Sequence, residues 1–235
     1  MTKSSLVQPM QALSSRRSVL LGAVGLGVMA TTLTACSSGN PTLYTLSVVP
    51  GQPMPGGPRY VEVRQPSIAS GLDRDRIVTQ DTGYKLTVAS ADAWGDSLGG
   101  QISRTLAGDL AQRLPGSAVF AENDAAATEP DAYVDLSVTR FSQGPSGKAE
   151  IEASLSVQPA VAGAPSGNAQ LYLQRIQVQG DSVTGTMPLV QALSQLLGQV
   201  ADIAATQLRM MPPAPSATSS SEAGRSHTGP AASQR

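Results

Sequence analysis

The most specific chemistry that this sequence predicts is the modification of a single cysteine thiol. Cys36 is the only cysteine among 235 residues, and it directly follows Leu33, Thr34 and Ala35. The two small residues fit a peptidase cleft that tolerates little bulk, Leu33 fits an apolar subsite, and a thiolate is the nucleophile best suited to forming a thioether. The apolar residues 19–30 precede this group. These features are typical of the lipobox of bacterial lipoproteins, which predicts cleavage between Ala35 and Cys36 and acylation of the Cys36 thiol.

The residues before Cys36 also have the order of a secretory signal, in which a positively charged start precedes an apolar stretch. Lys3, Arg16 and Arg17 supply the charge. Residues 19–30 are fewer than the ~20 apolar residues that a membrane span needs, which argues against a transmembrane helix. Arg16 and Arg17 form a partial twin-arginine signal, so that both general secretion and twin-arginine export stay open. Ser37 favours transfer to the outer membrane over retention in the inner membrane.

The composition of the chain excludes several classes of function. Removal of residues 1–35 leaves about 200 residues, enough for one domain with its own core. A net charge of −1 with 14% charged residues provides no basic surface for nucleic acid. The only histidine, His227, lies in a tail rich in Ser, Ala and Pro, so zinc sites, Ser-His-Asp triads and Cys-His dyads are not expected. A lipidated Cys36 leaves no thiol for a disulfide.

Carboxylate chemistry, such as glycoside cleavage, is the enzymatic alternative that the composition leaves open. The acidic residues are spread along the chain as expected for solvated faces and helix caps; they are Asp92, Asp96, Asp109, Asp131, Asp135, Glu150 and Glu152. We therefore expect no catalytic residue, no metal site and no cofactor beyond the diacylglycerol and N-acyl chain on Cys36.

Periodicity predicts where the strands and helices lie. Alternating runs predict two hairpins, formed by residues 76–79 with 84–88 and by residues 132–141 with 149–157, and further strands at residues 43–48, 60–64, 117–121 and 169–179. An apolar repeat every four residues from Trp94 to Leu114 predicts a helix that Asp92 caps. A second helix is predicted from its cap, Thr186, to Leu208.

This order of elements predicts an α+β domain, with a largely antiparallel sheet and two amphipathic helices packed on one face. The chain divides into a lipoprotein signal peptide (residues 1–35), a lipidated tether (36–41), the domain (42–208) and a disordered tail (209–235) rich in Pro, Ser and Ala. The other face of the sheet, or an exposed strand edge, is expected to meet a partner. Trp94 and Tyr44 are candidates for that interface, and core packing is the alternative for Trp94.

Several short motifs follow one another in a recognisable order. After the lipobox come the strand Tyr44-Thr45-Leu46, the β segment of residues 73–78, a helix led by Trp94, a strand ending in Phe141 and a last helix opening near residues 192–194. In this order and spacing, residues 42–208 resemble the PqiC-type ABC-transport auxiliary lipoproteins. These are the outer-membrane component associated with lipid transporters that contain mammalian-cell-entry (MCE) domains.

The resemblance implies a binding role without chemistry. It implies that a lipid-anchored domain, on the inner leaflet of the outer membrane, docks onto a periplasm-spanning MCE-domain protein that works with a permease and an ATPase. It also implies a homo-oligomeric ring, and no nucleic-acid partner is expected. An envelope assembly or integrity lipoprotein that is not tied to a transporter is the alternative function.

Overall fold

The computed structural model of the protein describes residues 39–80, 84–126, 128–160 and 171–211. The signal-peptide and lipidation residues predicted above, Arg16, Arg17, Ala35 and Cys36, lie outside these ranges, as do residues 212–235 of the predicted tail. In chain order the elements are β1 (Thr42–Tyr44), β2 (Tyr60–Val63), β3 (Ser67–Ile68), β4 (Arg76–Gln80), β5 (Leu86–Trp94), α1 (Leu98–Arg113), β6 (Ala118–Ala121), β7 (Ala132–Gln143), β8 (Lys148–Pro159), β9 (Tyr172–Ser182) and α2 (Thr186–Met210).

The larger sheet has the strand order β6-β2-β7-β8-β9, and β3 also pairs with β7. The predicted hairpin of β7 and β8 is antiparallel, and β9 continues the antiparallel pairing. However, β2 runs parallel to both β6 and β7, and β3 runs parallel to β7. The α+β class is therefore confirmed, but the sheet is mixed. A parallel pair requires a long crossover, which α1 supplies between β2 and its two neighbours.

A smaller sheet has the order β1-β5-β4. It contains the predicted hairpin, since β4 and β5 are antiparallel. β1 joins the other edge of β5 in parallel, with Thr42 opposite Asp92 and Tyr44 opposite Trp94. The strand predicted for residues 43–48 is thus mostly wrong, because the chain leaves the sheet after Tyr44.

Helix α1 begins later than its apolar repeat predicts. Trp94 is the last residue of β5, and the side chain of Ser97, not Asp92, caps the helix by accepting a hydrogen bond from the N–H of Gly100 (3.3 Å). Helix α2 has Gly185 at its N-cap with no side-chain hydrogen bond, so the prediction of Thr186 as the cap is also wrong. Instead, the Thr186 hydroxyl donates to the Asp92 carboxylate of β5. Helix α2 ends at Met210, two residues beyond the predicted domain boundary.

Both helices pack on the same face of the larger sheet and against each other, as predicted. α1 covers β2 and β6, and α2 covers β7, β8 and β9. The apolar stripes that predicted the helices form the core between these layers; among their fully buried residues are Ile102, Leu106, Leu110, Leu193 and Val200. Burial of each such side chain contributes about 1.5–3 kcal/mol, which offsets the low helix propensity of the glycines in α1.

Candidate docking surface and its N-terminal strap

The chain crosses both helices between β1 and β2, along a segment that we call the N-terminal strap (residues 45–58). Its backbone N–H groups donate to helix side chains: Leu46 to Oε1 of Gln101 (3.0 Å), Ser47 to Oγ of Ser194 (3.2 Å) and Val49 to Oδ1 of Asp109 (2.6 Å). A buried N–H without a partner costs about 1–3 kcal/mol. Three polar side chains of the two helices therefore help to determine the path of the strap.

Arg113 holds the middle of the strap. Only 2% of its side chain is exposed, and its guanidinium donates to the carbonyl oxygens of Val49 (3.1 Å) and Asp109 (3.0 Å). Its Nε donates to Oδ1 of Asp202 on α2 (2.5 Å). A Cβ at Gly51 would overlap this guanidinium, so the strap passes Arg113 closely because residue 51 has no side chain. Arg113 thus joins α1, α2 and the strap at one point.

Asp109 lies beside Arg113 and is fully buried. Burial raises the pKa of its carboxyl to about 6, although the hydrogen bond from Val49 and the positive charge of Arg113 act in the opposite direction. Its Oδ2 has no hydrogen-bond partner among the described residues. The expectation that Asp109 belongs to a solvated face is therefore wrong. Asp109 lies three residues after Leu106, on the same helix face as the apolar stripe. This spacing is the signal in the sequence that predicts its burial.

Glu150 is the second acid whose predicted exposure is wrong, since only 5% of the residue is exposed. Its carboxylate accepts hydrogen bonds from Arg140 (3.0 Å), Ser146 (3.2 Å) and Gln179 (3.3 Å). The remaining acids each have a partner too: Asp96 pairs with Arg104, Asp131 accepts from the N–H of Tyr60, Asp135 pairs with Arg64 and Glu152 with Arg140. Within the described ranges, no three metal-ligating side chains cluster closely enough to hold a metal ion.

The two aromatic residues considered for a partner interface lie at adjacent positions of the smaller sheet. Trp94 is 6% exposed, and its ring packs against Phe141 with centroids 6.3 Å apart at 56°. Tyr44 is half-buried, and its carbonyl oxygen accepts from the N–H of Gly95 (2.8 Å). Trp94 thus fills the junction between the two sheets and presents little surface to a partner.

One surface that combines strand and helix lies at the edge of the larger sheet. β9 is the last strand of that sheet, and no described strand covers its outer edge. Between β9 and α2 runs a groove of about 580 Å³, which we call the β9–α2 groove. Its lining is dominated by amide and charged side chains; these include Gln179, Gln191, Gln195, Gln199, Lys148 and Asp181. Glutamine amides both donate and accept hydrogen bonds, so the groove suits the backbone of an extended polypeptide.

Among the described residues, no helix has both the length and the apolar composition needed to cross a bilayer. Two solved structures show the fold. A crystal structure of an uncharacterized protein is 18% identical, with a TM-score of 0.58, covering 72% of this chain and 99% of that chain. A crystal structure of a Xanthomonas campestris protein of the family DUF330 is 21% identical, with a TM-score of 0.56, covering 71% and 94% of the two chains.

No curated protein sequence matches the chain. A family model does match it over residues 44–205, which is most of the domain: β1 from Tyr44, the strap, both sheets and nearly all of α2 lie within this range. The family described by this model is the ABC-type transport auxiliary lipoprotein component, and this chain belongs to it.

Proposed function

We propose that the protein is a non-catalytic auxiliary subunit of an ABC transporter that moves lipid between the two membranes together with an MCE-domain protein. The family match over residues 44–205 is the observation that carries this proposal. In the proposed arrangement, the domain is held at the periplasmic face of the outer membrane by the diacylglycerol and N-acyl chain on Cys36. The buried acids support a structural use of the carboxylates, since Asp109 binds the strap and Glu150 pairs with Arg140.

The acyl chains act as a positional constraint. Each buried CH₂ contributes about 0.8 kcal/mol, so several chains on one residue hold a protein almost irreversibly in a bilayer. Anchoring raises the effective concentration of the domain beside the membrane, and a weak docking surface then suffices for stable association. The strap supports this role, because it bonds the residues after the tether to both helices through Gln101, Ser194 and Asp109.

The β9–α2 groove is the proposed docking surface for the MCE-domain protein. In strand addition, backbone hydrogen bonds supply the affinity and a neighbouring helix supplies contacts for alternate side chains. β9 provides eleven residues of edge strand beside α2, whereas the opposite edge strand, β6, has four. The glutamine-rich lining favours an extended polypeptide over an acyl chain.

Co-purification of the lipidated protein with the MCE-domain protein of the same organism tests this function. We expect Gln195→Arg, which places a long charged side chain in the groove, to lower partner recovery. Gln112→Arg is the matched control, because Gln112 is an exposed glutamine of α1 that does not line the groove. Cys36→Ala is expected to lower recovery further by releasing the domain from the membrane. Light scattering on the same sample measures the proposed homo-oligomeric ring.

Three results would contradict parts of this proposal. Failure of the wild-type protein to recover any MCE-domain protein would remove the assignment to an MCE-type lipid transporter and favour an envelope integrity lipoprotein. Equal losses for Gln195→Arg and Gln112→Arg would remove the groove as the docking surface. Unchanged recovery with Cys36→Ala would show that the anchor is not needed for docking.

A further inference from the structure

An apolar patch lies at the tip of the β4–β5 hairpin. It consists of Tyr84, Leu86 and Val88, which we call the hairpin patch. Tyr84 is fully exposed, and Leu86 and Val88 are each nearly half exposed. Leu86 and Val88 are two residues apart in β5, so they project from the same face of the strand. Lys85, also exposed, lies within the patch in sequence.

The side chains of the hairpin patch are only partly packed against the rest of the domain. Leu86 lies over Gly71, where its Cδ1 is 3.1 Å from the position that a Cβ would occupy. Val88 pairs across the hairpin with Val78, which is buried. The inner side of the hairpin thus belongs to the core, and its outer end exposes tyrosyl, leucyl and valyl surface to solvent.

The direction of β1 relates this patch to the tether. β1 is parallel to β5, with Thr42 opposite Asp92, so the N-terminal end of β1 and the hairpin tip point the same way. Thr42 lies six positions after Cys36, and Asp92 lies six positions after Leu86. At about 3.3 Å per extended residue, six positions span at most about 20 Å, so Cys36 lies no further than about 20 Å from Thr42, and Leu86 lies about the same distance along β5 from Asp92.

From this juxtaposition we propose that the hairpin patch inserts into the surface of the same bilayer that holds the acylated Cys36. This inference rests on the proposed lipidation of Cys36. Tyrosine is enriched at the membrane–water interface, and a lysine extends its charge to the headgroups while its methylene groups stay among apolar atoms. Tyr84, Lys85 and Leu86 therefore form a second, weaker membrane contact. Two contacts fix the orientation of the domain relative to the bilayer, whereas a single point of attachment leaves it free to rotate.

Lipid quenching of a probe on the full lipidated chain tests the inference. Tyr84→Cys supplies a reactive thiol, because the sulfur of Cys36 is then a thioether, and it carries an environment-sensitive fluorophore. The protein is reconstituted into vesicles of phosphatidylethanolamine and phosphatidylglycerol. We expect the emission to shift to shorter wavelength on reconstitution and to be quenched by spin-labelled lipid. Adding Leu86→Glu to the labelled protein is expected to abolish both effects while the protein still floats with the vesicles.

Met210→Cys is the matched control. Met210 is an apolar residue, 68% exposed, at the end of α2. The first residue of α2, Thr186, bonds to Asp92 of β5. Arg209, next to Met210, donates to the carbonyl oxygen of Pro55, near the end of the strap that leads away from β1, and a helix of 25 residues is about 37 Å long. A label at residue 210 is therefore expected to keep the emission of a water-exposed probe and to escape quenching.

Each contrary result overturns the inference in a distinct way. An unchanged Tyr84→Cys probe on floating protein would show that the anchor holds but the patch does not touch lipid. Equal quenching at residues 84 and 210 would show that the domain has no fixed orientation. A shift without lipid quenching would show that a second copy covers the patch. Failure of the protein to float, with no acyl mass on Cys36, would overturn both the inference and the proposed anchoring.

Discussion

Substitution of Asp109, the buried acid of α1 that binds the strap, gives the sharpest test of the structure. Asp109→Asn keeps an oxygen that accepts the hydrogen bond from the N–H of Val49 and replaces the unpartnered Oδ2 by an amide group. The side chain can then no longer ionise. Because burial raises the pKa of the Asp109 carboxyl from 3.8 to about 6, the folded protein binds this proton more tightly than the unfolded chain does.

The sign and size of the effect follow from proton linkage. The stabilisation by protonated Asp109 is fully present below pH 3.8 and is lost as the pH rises through about 6. A shift of about two pKa units, at about 1.36 kcal/mol per unit, amounts to about 3 kcal/mol. We expect Asp109→Asn to be more stable than the wild type by up to about 3 kcal/mol at pH 7.5, and by about 1 kcal/mol at pH 4.5.

Urea unfolding of residues 37–235 measures this difference. Trp94 is the only tryptophan and is buried, so its fluorescence reports the loss of the core. Asp96→Asn is the control. The N–H of Ser97 and the guanidinium of Arg104 lower the pKa of the Asp96 carboxyl. The stability that ionised Asp96 contributes is therefore lost only as the pH falls below 3.8, outside the range from pH 4.5 to 7.5. Parallel stability curves for the wild type and Asp109→Asn between pH 4.5 and 7.5 would refute the assignment of a raised pKa to Asp109.

Three further substitutions test the strap and the core. Arg113→Ala is expected to lower the free energy of unfolding by about 3 kcal/mol or more, because it leaves the buried Asp109 carboxylate without its neighbouring cation and the carbonyl oxygens of Val49 and Asp109 without their donor. Arg104→Ala, in an exposed pair, should change the free energy of unfolding little, and equal effects of the two substitutions in urea unfolding would contradict the buried assignment. Gly51→Ala is expected to cost about 1–3 kcal/mol through overlap with Arg113, whereas Gly116→Ala meets open space and serves as the control in the same assay. Trp94→Ala is expected to cost about 3–5 kcal/mol, measured by circular dichroism on heating, and a cost near zero would restore Trp94 as an interface residue.

Local periodicity predicts the elements whose packing depends on one face. The alternation in residues 132–141 and 149–157 predicts the β7–β8 hairpin, and the apolar stripe ending at Leu208 predicts α2. The start of α1 is missed for a specific reason. Trp94 satisfies both the four-residue repeat and the alternation of β5, and pairing with β1 decides in favour of the strand.

Long-range pairing is what the sequence alone does not predict. Alternation predicts that a run forms a strand but carries no information about its direction, so the parallel pairs of β2 and β3 are absent from the prediction. The strap is missed because its hydrogen-bond acceptors are far away in the chain. Ser47 donates to Ser194, 147 residues later, and Leu46 to Gln101, 55 residues later. The groove at β9 likewise requires α2 to be placed against the sheet edge.

The central claim is that an acylated residue ties this domain to a membrane. It depends on the lipidation residues, which lie outside the described part of the chain. Mass spectrometry of the mature protein, extracted from the envelope of the producing bacterium, tests that claim most directly. We predict a polypeptide that begins at Cys36 and carries the added mass of a diacylglycerol and an N-acyl chain on that residue. A free thiol at Cys36, or an N-terminus at any other position, would contradict the account.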